Sequence, residues 1–288
     1  MQLIEEYRKK VVAQLFKMPT FANCWPIWKD EIHDRTSGLS DPHAIYALGG
    51  QLKPIFASTS SGKRGQTDLS GGGAAWEGLV CWYLNLVMTN SRAIVVKRNK
   101  GLMPKILLDA MTVLYKNRRT NTESDLSGIV FPPDEKLDCN QYSVEFLEDY
   151  LNTNLNKVSL HNIQCKTNWN DNAQIPMLWD MVYQFRGIEH KNIKIGSSGK
   201  DLDDLKSFTY SFVTMPSQKK PFKAGSMPVQ RVEALSGRNY WGQETQDGVA
   251  LSLSEIFKQV FGNAFDGHIQ GHIGNLVDNG QISLDIGD

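Results

Sequence analysis

A lysine stands at the end of a run of residues that the sequence predicts to be a core strand. Val158, Leu160 and Cys165 help to make this run apolar, and the sequence changes to Asn and Asp soon after Lys166. A buried ammonium group is costly without a partner. Lys166 is therefore better suited to contact a phosphate or a metal-bound hydroxide than to pack in a core.

Two acidic residues are predicted at comparable positions. Glu77 lies in the first turn of the most apolar predicted helix, and Asp125 lies at the start of another apolar strand. Two carboxylates and a lysine at one sheet edge could hold Mg²⁺, which takes carboxylate, water and phosphate oxygens as ligands. The metal would lower the pKa of a bound water, and Lys166 would hold or deprotonate that water. The three residues therefore predict a hydrolytic Mg²⁺ site.

The same residues carry a resemblance to a known family. Asp125 followed by Gln164-Cys165-Lys166 resembles the signature of the PD-(D/E)XK nucleases, and Ser70-Gly-Gly-Gly-Ala-Ala-Trp-Glu77 resembles a helix start of many type II restriction endonucleases in that superfamily. The resemblance covers about residues 70–215. It implies an α/β restriction-endonuclease-like core with a mixed β-sheet flanked by helices, and Mg²⁺-dependent, site-specific cleavage of double-stranded DNA by a homodimer. The implied catalytic residues are Glu77, Asp125, Gln164 and Lys166, and the implied metal contacts are Glu77, Asp125 and Cys165.

The chain departs from the family pattern at Gln164, where an acid is usual. Glutamine offers only a neutral carbonyl oxygen to a metal. In related enzymes that lack this acid, a carboxylate from another element replaces it. Glu77 is the first candidate for that replacement, and Asp171 and Asp180 are the next.

The metal aspartate also has an alternative. Asp134 follows two prolines and matches the literal Pro-Asp pair of the signature, whereas Ser124 precedes Asp125. Asp125 is preferred because it lies at the edge of an apolar strand, while Asp134 lies in a charged turn beside Glu135.

The hydrophobic patterns predict a mixed α/β sheet covered by helices, and the resemblance implies a single catalytic domain over residues 1–288. Helices are expected at 1–18, 74–90, 101–117, 142–154, 172–185 and 251–261, and strands at 91–96, 124–131, 158–166 and 207–215. The remaining segments are expected to be irregular: a Trp- and Pro-containing stretch to about residue 50, a Gly/Ser loop at 57–73, a loop-rich region at 216–250, and a Gly-rich tail from 262. The segments outside the core would serve dimerisation and DNA reading.

Charge and composition narrow the class of protein. The 31 basic residues balance the 31 acidic ones, which disfavours a non-specific nucleic-acid coat but suits a nuclease whose metal-binding acids offset its phosphate-facing cations.

No stretch approaches about 18 uninterrupted apolar residues, so no membrane span is expected. The start of the chain is typical of an amphipathic helix and not of a signal peptide. The four cysteines form no CxxC pair, which indicates a reducing, cytoplasmic location.

DNA contacts are expected from loops. The region 217–247 is rich in side chains that pair with base edges or phosphates. The predicted base-reading residues are Gln230, Arg231, Arg238 and Asn239, and the predicted phosphate contacts are Lys219, Lys220 and Lys223. Lys63 and Arg64, in the Gly/Ser loop before Glu77, could close over bound DNA.

Two other functions stay open. One is a repair or recombination nuclease that reads DNA structure, and the other is a DNA-binding protein on an inactive nuclease core, for which Gln164 is the motive. A zinc site at His268 and His272 is disfavoured because no Cys pair lies near them in sequence. A phosphate-binding loop around Lys63 is disfavoured because no strand precedes it.

Overall fold

The computed structural model describes residues 2–59, 72–97, 101–116, 118–120, 124–139, 141–167, 193–215, 226–242 and 249–284. The predicted helix at 172–185 lies outside these residues. So do Asp171, Asp180, Lys63, Arg64, Lys219, Lys220 and Lys223.

A five-stranded mixed sheet forms the centre of the molecule, with the strand order β1-β4-β5-β7-β8. The strand β4 is antiparallel to its neighbours β1 and β5, whereas β5, β7 and β8 are parallel to one another. A smaller sheet has the order β3-β2-β6. The strands are β1 (Ala93–Lys97), β2 (Val113–Tyr115), β3 (Arg118–Thr120), β4 (Leu126–Val130), β5 (Ser159–Lys166), β6 (Ile193–Ile195), β7 (Ser207–Thr214) and β8 (Tyr240–Trp241).

Helices cover the central sheet. Those of the described residues are α1 (Gln2–Phe16), α2 (Pro19–Ala22), α3 (Trp25–Arg35), α4 (Pro42–Ser58), α5 (Gly72–Val87), α6 (Lys105–Ala110), α7 (Glu135–Cys139), α8 (Val144–Asn154), α9 (Met227–Ser236), α10 (Leu253–Val260) and α11 (Ile269–Asp278). The helix α5 contacts β1 and β5 on its sheet side and α1, α2 and α4 on its other sides. This packing on all sides explains why α5 is apolar nearly all round. The fold is therefore α/β with a mixed sheet flanked by helices.

Two polar side chains from the helical layer cover the outer edge of β1. Asn85 of α5 donates to the carbonyl of Val95 at 2.7 Å and accepts from its N–H at 3.2 Å. Arg8 of α1, which is fully buried, donates to the carbonyl of Ala93 at 2.7 Å and to Asn85 at 3.1 Å. Glu5 pairs with the same guanidinium at 3.0 Å. The backbone groups that β1 turns away from β4 are thus satisfied by side chains.

Several predicted elements are confirmed. The helix at 1–18 is α1, and the helix at 142–154 is α8, with Ser143 accepting from the N–H of Phe146 as its N-cap. The predicted strands at 91–96, 124–131, 158–166 and 207–215 are β1, β4, β5 and β7, and Ser252 caps α10.

Other predictions are wrong, and prolines explain part of the error. The stretch between 19 and 58, expected to be irregular up to about residue 50, forms α2, α3 and α4, each with proline in its first two positions. Proline suits a helix start because its fixed φ and missing N–H cost nothing there. The region 216–250 likewise contains α9, which has proline near its start and ends at Gly237 in the left-handed conformation.

Two further errors lie at 101–117 and after 262. Only the short helix α6 forms in the first region, because β2 pairs with β3 and β6 and strand pairing overrides local helix preference. The Gly-rich tail contains α11, which buries Ile269, Ile273 and Leu276 on one face. None of the described helices is both long and apolar enough to cross a membrane.

Candidate active site

The antiparallel pairing of β4 brings three chain segments to one end of the sheet. Lys97 at the end of β1 pairs with Leu126, and Leu126 pairs with Ile163. Asp125 directly precedes β4 and therefore lies beside Gln164 of β5. Lys166 ends β5 two residues later, and side chains two residues apart on a strand share a face.

Asp125 is held by two hydrogen bonds from β5. Its Oδ2 accepts from the side-chain amide of Gln164 and from the N–H of Cys165, the latter at 2.8 Å. Tyr210 donates to the other end of the Gln164 amide, at 3.4 Å. Gln164 is fully buried, and its amide orients the carboxylate of Asp125 from the interior side. The pattern that the sequence resembles has an acid at this position.

Glu77 forms an ion pair that the sequence interpretation missed. Its Oε2 lies 2.6 Å from the ammonium of Lys97, and both side chains are about one-fifth exposed. Lys97 also lies 3.4 Å from the carbonyl of Ala74, one turn earlier in α5. The signal for Lys97 was present, because it ends the apolar run of β1 just as Lys166 ends that of β5.

The helix α5 begins at Gly72, so Glu77 lies in its second turn and not in its first. The difference matters because the dipole of a helix acts mainly on its first turn. Glu77 therefore interacts with the end of the sheet, through its ion pair with Lys97, and does not cap its own helix.

The charges of the site act on one another. The pKa of Asp125 is raised to about 7, because burial and the nearby carboxylate of Glu77 raise it more than Lys166, the Cys165 N–H and Lys97 lower it. The structure thus brings Glu77, Asp125, Gln164, Cys165 and Lys166 together, and adds Lys97.

Cys165 takes part through its backbone. Burial raises the pKa of its thiol well above the usual range, so the sulfur stays protonated, and Mg²⁺ prefers oxygen ligands in any case. The metal contact of Cys165 stays a prediction, and it would have to come from the carbonyl oxygen.

Asp134 lies at the opposite end of β4. Its carboxylate accepts from the N–H of Lys136, in the first turn of α7, at 3.0 Å, and from the hydroxyl of Tyr150 at 2.9 Å. These bonds give Asp134 a structural role, and they favour Asp125 as the aspartate of the site.

The predicted base-reading residues differ in exposure. Gln230 on α9 is exposed, while the side chain of Arg231 lies outside the described set. Arg238 is largely exposed and pairs with Glu233 at 3.3 Å. Asn239 is only 7% exposed, because the left-handed residues Gly237 and Arg238 turn the chain back towards the sheet. In this conformation Asn239 is not at the surface, where base reading would require it.

The donor set suits a hard divalent cation. Two carboxylates at one sheet end, whose mutual repulsion a cation would relieve, match the ligands that Mg²⁺ takes with water and phosphate oxygens. Within the described part of the chain, no group of three or more His, Cys, Asp and Glu side chains could hold a metal ion. The sequence matches no protein-family model and no curated protein. Functional inference therefore depends on this geometry.

Proposed function

We propose that the protein is a Mg²⁺-dependent endonuclease that hydrolyses phosphodiester bonds of double-stranded DNA at specific sites, in the manner of a type II restriction enzyme. The observation that carries the proposal is the meeting of two carboxylates with two lysines at one end of a mixed sheet. The order of the central sheet, with β4 reversed, supports it, because this topology is what gathers Asp125 and Lys166 from separate strands.

In this proposal Glu77 and Asp125 would hold Mg²⁺. The metal, when bound, would supply an activated water and neutralise charge that develops on the phosphate. Gln164 and the Cys165 N–H would keep Asp125 aimed at the metal. Both groups would act as positioning groups, because both donate hydrogen bonds to Oδ2 of Asp125.

The lysines would act on the substrate. Lys166 lies at the partly exposed end of β5. There its ammonium could hold the attacking water or donate to a phosphate oxygen, and as the neutral amine it could take the proton of that water. Lys97 neutralises Glu77 in the metal-free protein. If Glu77 held Mg²⁺, the ammonium of Lys97 would be available to donate to a phosphate oxygen.

The test is digestion of a large sequenced DNA with Mg²⁺, followed by mapping of the ends. The wild-type protein should give discrete bands with one sequence at every end, and Lys166→Ala should give none. Lys157→Ala is the matched control, because Lys157 is an exposed lysine just before the other end of β5. It should cut like the wild type.

Other outcomes would replace the proposal. Discrete bands from Lys166→Ala would remove Lys166 from the site. Cleavage only at ends, flaps or junctions would indicate a structure-specific nuclease. Tight DNA binding without cleavage in Mg²⁺ or Mn²⁺ would indicate an inactive core.

A further inference from the structure

Positive charge is concentrated around the smaller sheet, although the whole chain is neutral. Residues 105–120 and 193–200, which form α6, the small sheet (β2, β3 and β6) and the turn after it, contain six basic residues and one acidic residue. The basic residues are Lys105, Lys116, Arg118, Arg119, Lys194 and Lys200. A local excess of this kind attracts polyanions.

The register of the small sheet places its charges on the outer face. Val113 pairs with Ile195, and both pack inward, where Val113 joins the cluster of Tyr210 and Phe212. The next position along β2 is Leu114, which pairs with Arg119 on one side and Lys194 on the other. Arg119 and Lys194 are exposed, and their backbones are about 10 Å apart, twice the spacing of adjacent strands.

The tip of the hairpin adds two more cations. Lys116 directly follows β2 and has the left-handed conformation, with φ of 51°, and Arg118 begins β3. Both side chains are exposed. The outer face and the tip therefore form one basic surface.

A single buried carboxylate fixes this surface to the body of the protein. Asp109 is 3% exposed and lies 3.2 Å from Arg119 and 2.9 Å from Lys105. It also accepts from the hydroxyl of Ser197 at 2.8 Å, and its carbonyl accepts from the N–H of Ser197 at 2.9 Å. One carboxylate shared by two cations orders the surface without neutralising it.

Chain connectivity keeps this surface close to the candidate active site. The strand β3 ends at Thr120, five residues before Asp125, so their Cα atoms are at most about 18 Å apart. That distance corresponds to roughly five base pairs along a duplex, at about 3.4 Å each. A duplex whose scissile phosphate lies at Asp125 is therefore long enough to contact the hairpin as well.

We infer that the outer face and tip of the small sheet bind the sugar–phosphate backbone of double-stranded DNA beside the site of cleavage. This inference rests on the proposed function and names the element that holds the substrate. The contact is with phosphates, so it contributes affinity and register but no sequence preference.

The experiment measures the salt dependence of DNA binding. The full-length protein is titrated against a fluorescent duplex by anisotropy, with Ca²⁺ in place of Mg²⁺, between about 50 and about 200 mM salt. The test variant is Lys116→Ala/Arg118→Ala/Lys194→Ala, which leaves the Asp109–Arg119 pair intact. The control is Lys9→Ala/Lys53→Ala/Lys157→Ala, which removes three exposed lysines elsewhere.

The plot of log affinity against log salt has a negative slope. This slope should become less steep by roughly 0.9 for each phosphate that the variant no longer neutralises, or by about 2.7 for the three substitutions together. At about 0.1 M salt the affinity of the test variant should fall on the order of 100-fold, while the control stays near the wild type. Thermal unfolding confirms that each variant is folded. If the wild-type protein binds DNA but the test variant has an unchanged slope, the DNA-binding role of this surface is refuted and the proposed function is not. A wild-type protein that binds no duplex refutes the proposed function, and the surface with it.

Discussion

Replacing Gln164 by glutamate tests whether its amide really holds Asp125. In Gln164→Glu, a second carboxylate replaces the amide that donates to Asp125 Oδ2. Two carboxylates in contact cannot both ionise in a buried site, so the pair should retain one proton well above neutral pH. The unfolded chain has released that proton by about pH 6. The folded variant therefore binds one more proton than the unfolded one, and its stability falls as pH rises.

The expected size follows from linkage. One extra bound proton costs about 1.4 kcal/mol per pH unit, which is about 2 kcal/mol between roughly pH 7.5 and roughly pH 9. The wild type loses little in this window, because its Asp125 has a pKa of about 7 and is already mostly ionised. With an m-value of about 3 kcal/mol/M, the urea midpoint of the variant should fall by about 0.7 M over this range.

The assay is urea unfolding in chelator at the two pH values. The control is the exchanged pair Asp125→Asn/Gln164→Glu, which restores one amide and one carboxylate and should regain the wild-type pH dependence. Excess Mg²⁺ should restore the stability of Gln164→Glu, because a cation held by both carboxylates displaces the proton. An equal pH dependence in the wild type and Gln164→Glu would refute the contact between residue 164 and Asp125.

Three other predictions concern the site and the core. The raised pKa of Asp125 gives the metal-free wild type a stabilising contribution that is complete below about pH 4 and is lost as pH rises through about 7; Asp125→Asn should remove this loss in urea titrations. Lys97→Met should leave Glu77 without its ion pair and raise the pKa of Asp125 further, which an NMR titration of the side-chain carboxyl would detect as a higher midpoint. Gly128→Ala should destabilise the protein by about 1–3 kcal/mol, because a Cβ at Gly128 would overlap the ring of Phe261; an unchanged unfolding midpoint would contradict this packing.

The sequence predicted four of the five central strands, β1, β4, β5 and β7, because their apolar runs end at clear breaks, whereas the two-residue β8 lies in a region that was expected to be loop-rich. Lys166 and Asp125 could be placed for the same reason, since each marks the boundary of a buried strand. Lys97 ends β1 in the same way, but Arg98 and Lys100 follow it, and a run of basic residues is more typical of a solvated surface than of a site. Its partner, Glu77, comes from a different element, and sequence spacing alone does not show that pairing.

Gln164 could be recognised as a departure from the family pattern, but not as the group that orients Asp125. That role depends on register across β4 and β5 and on Tyr210 from β7. The small sheet was missed for a similar reason. Residues 113–115 become a strand because they pair with 193–195, about 80 positions later, and a local pattern carries no information about a partner so distant.

The covering of β1 by Arg8 and Asn85 limits how two copies of the chain could associate. An exposed edge strand is a template on which a second sheet can grow, and a dimer with one continuous sheet is built in that way. Here the carbonyls of Ala93 and Val95 are already bonded to side chains from α1 and α5. Joining two sheets through β1 would require breaking a buried arginine away from its partners. A homodimer of this protein should therefore leave β1 inside each subunit, with its edge bonded to α1 and α5.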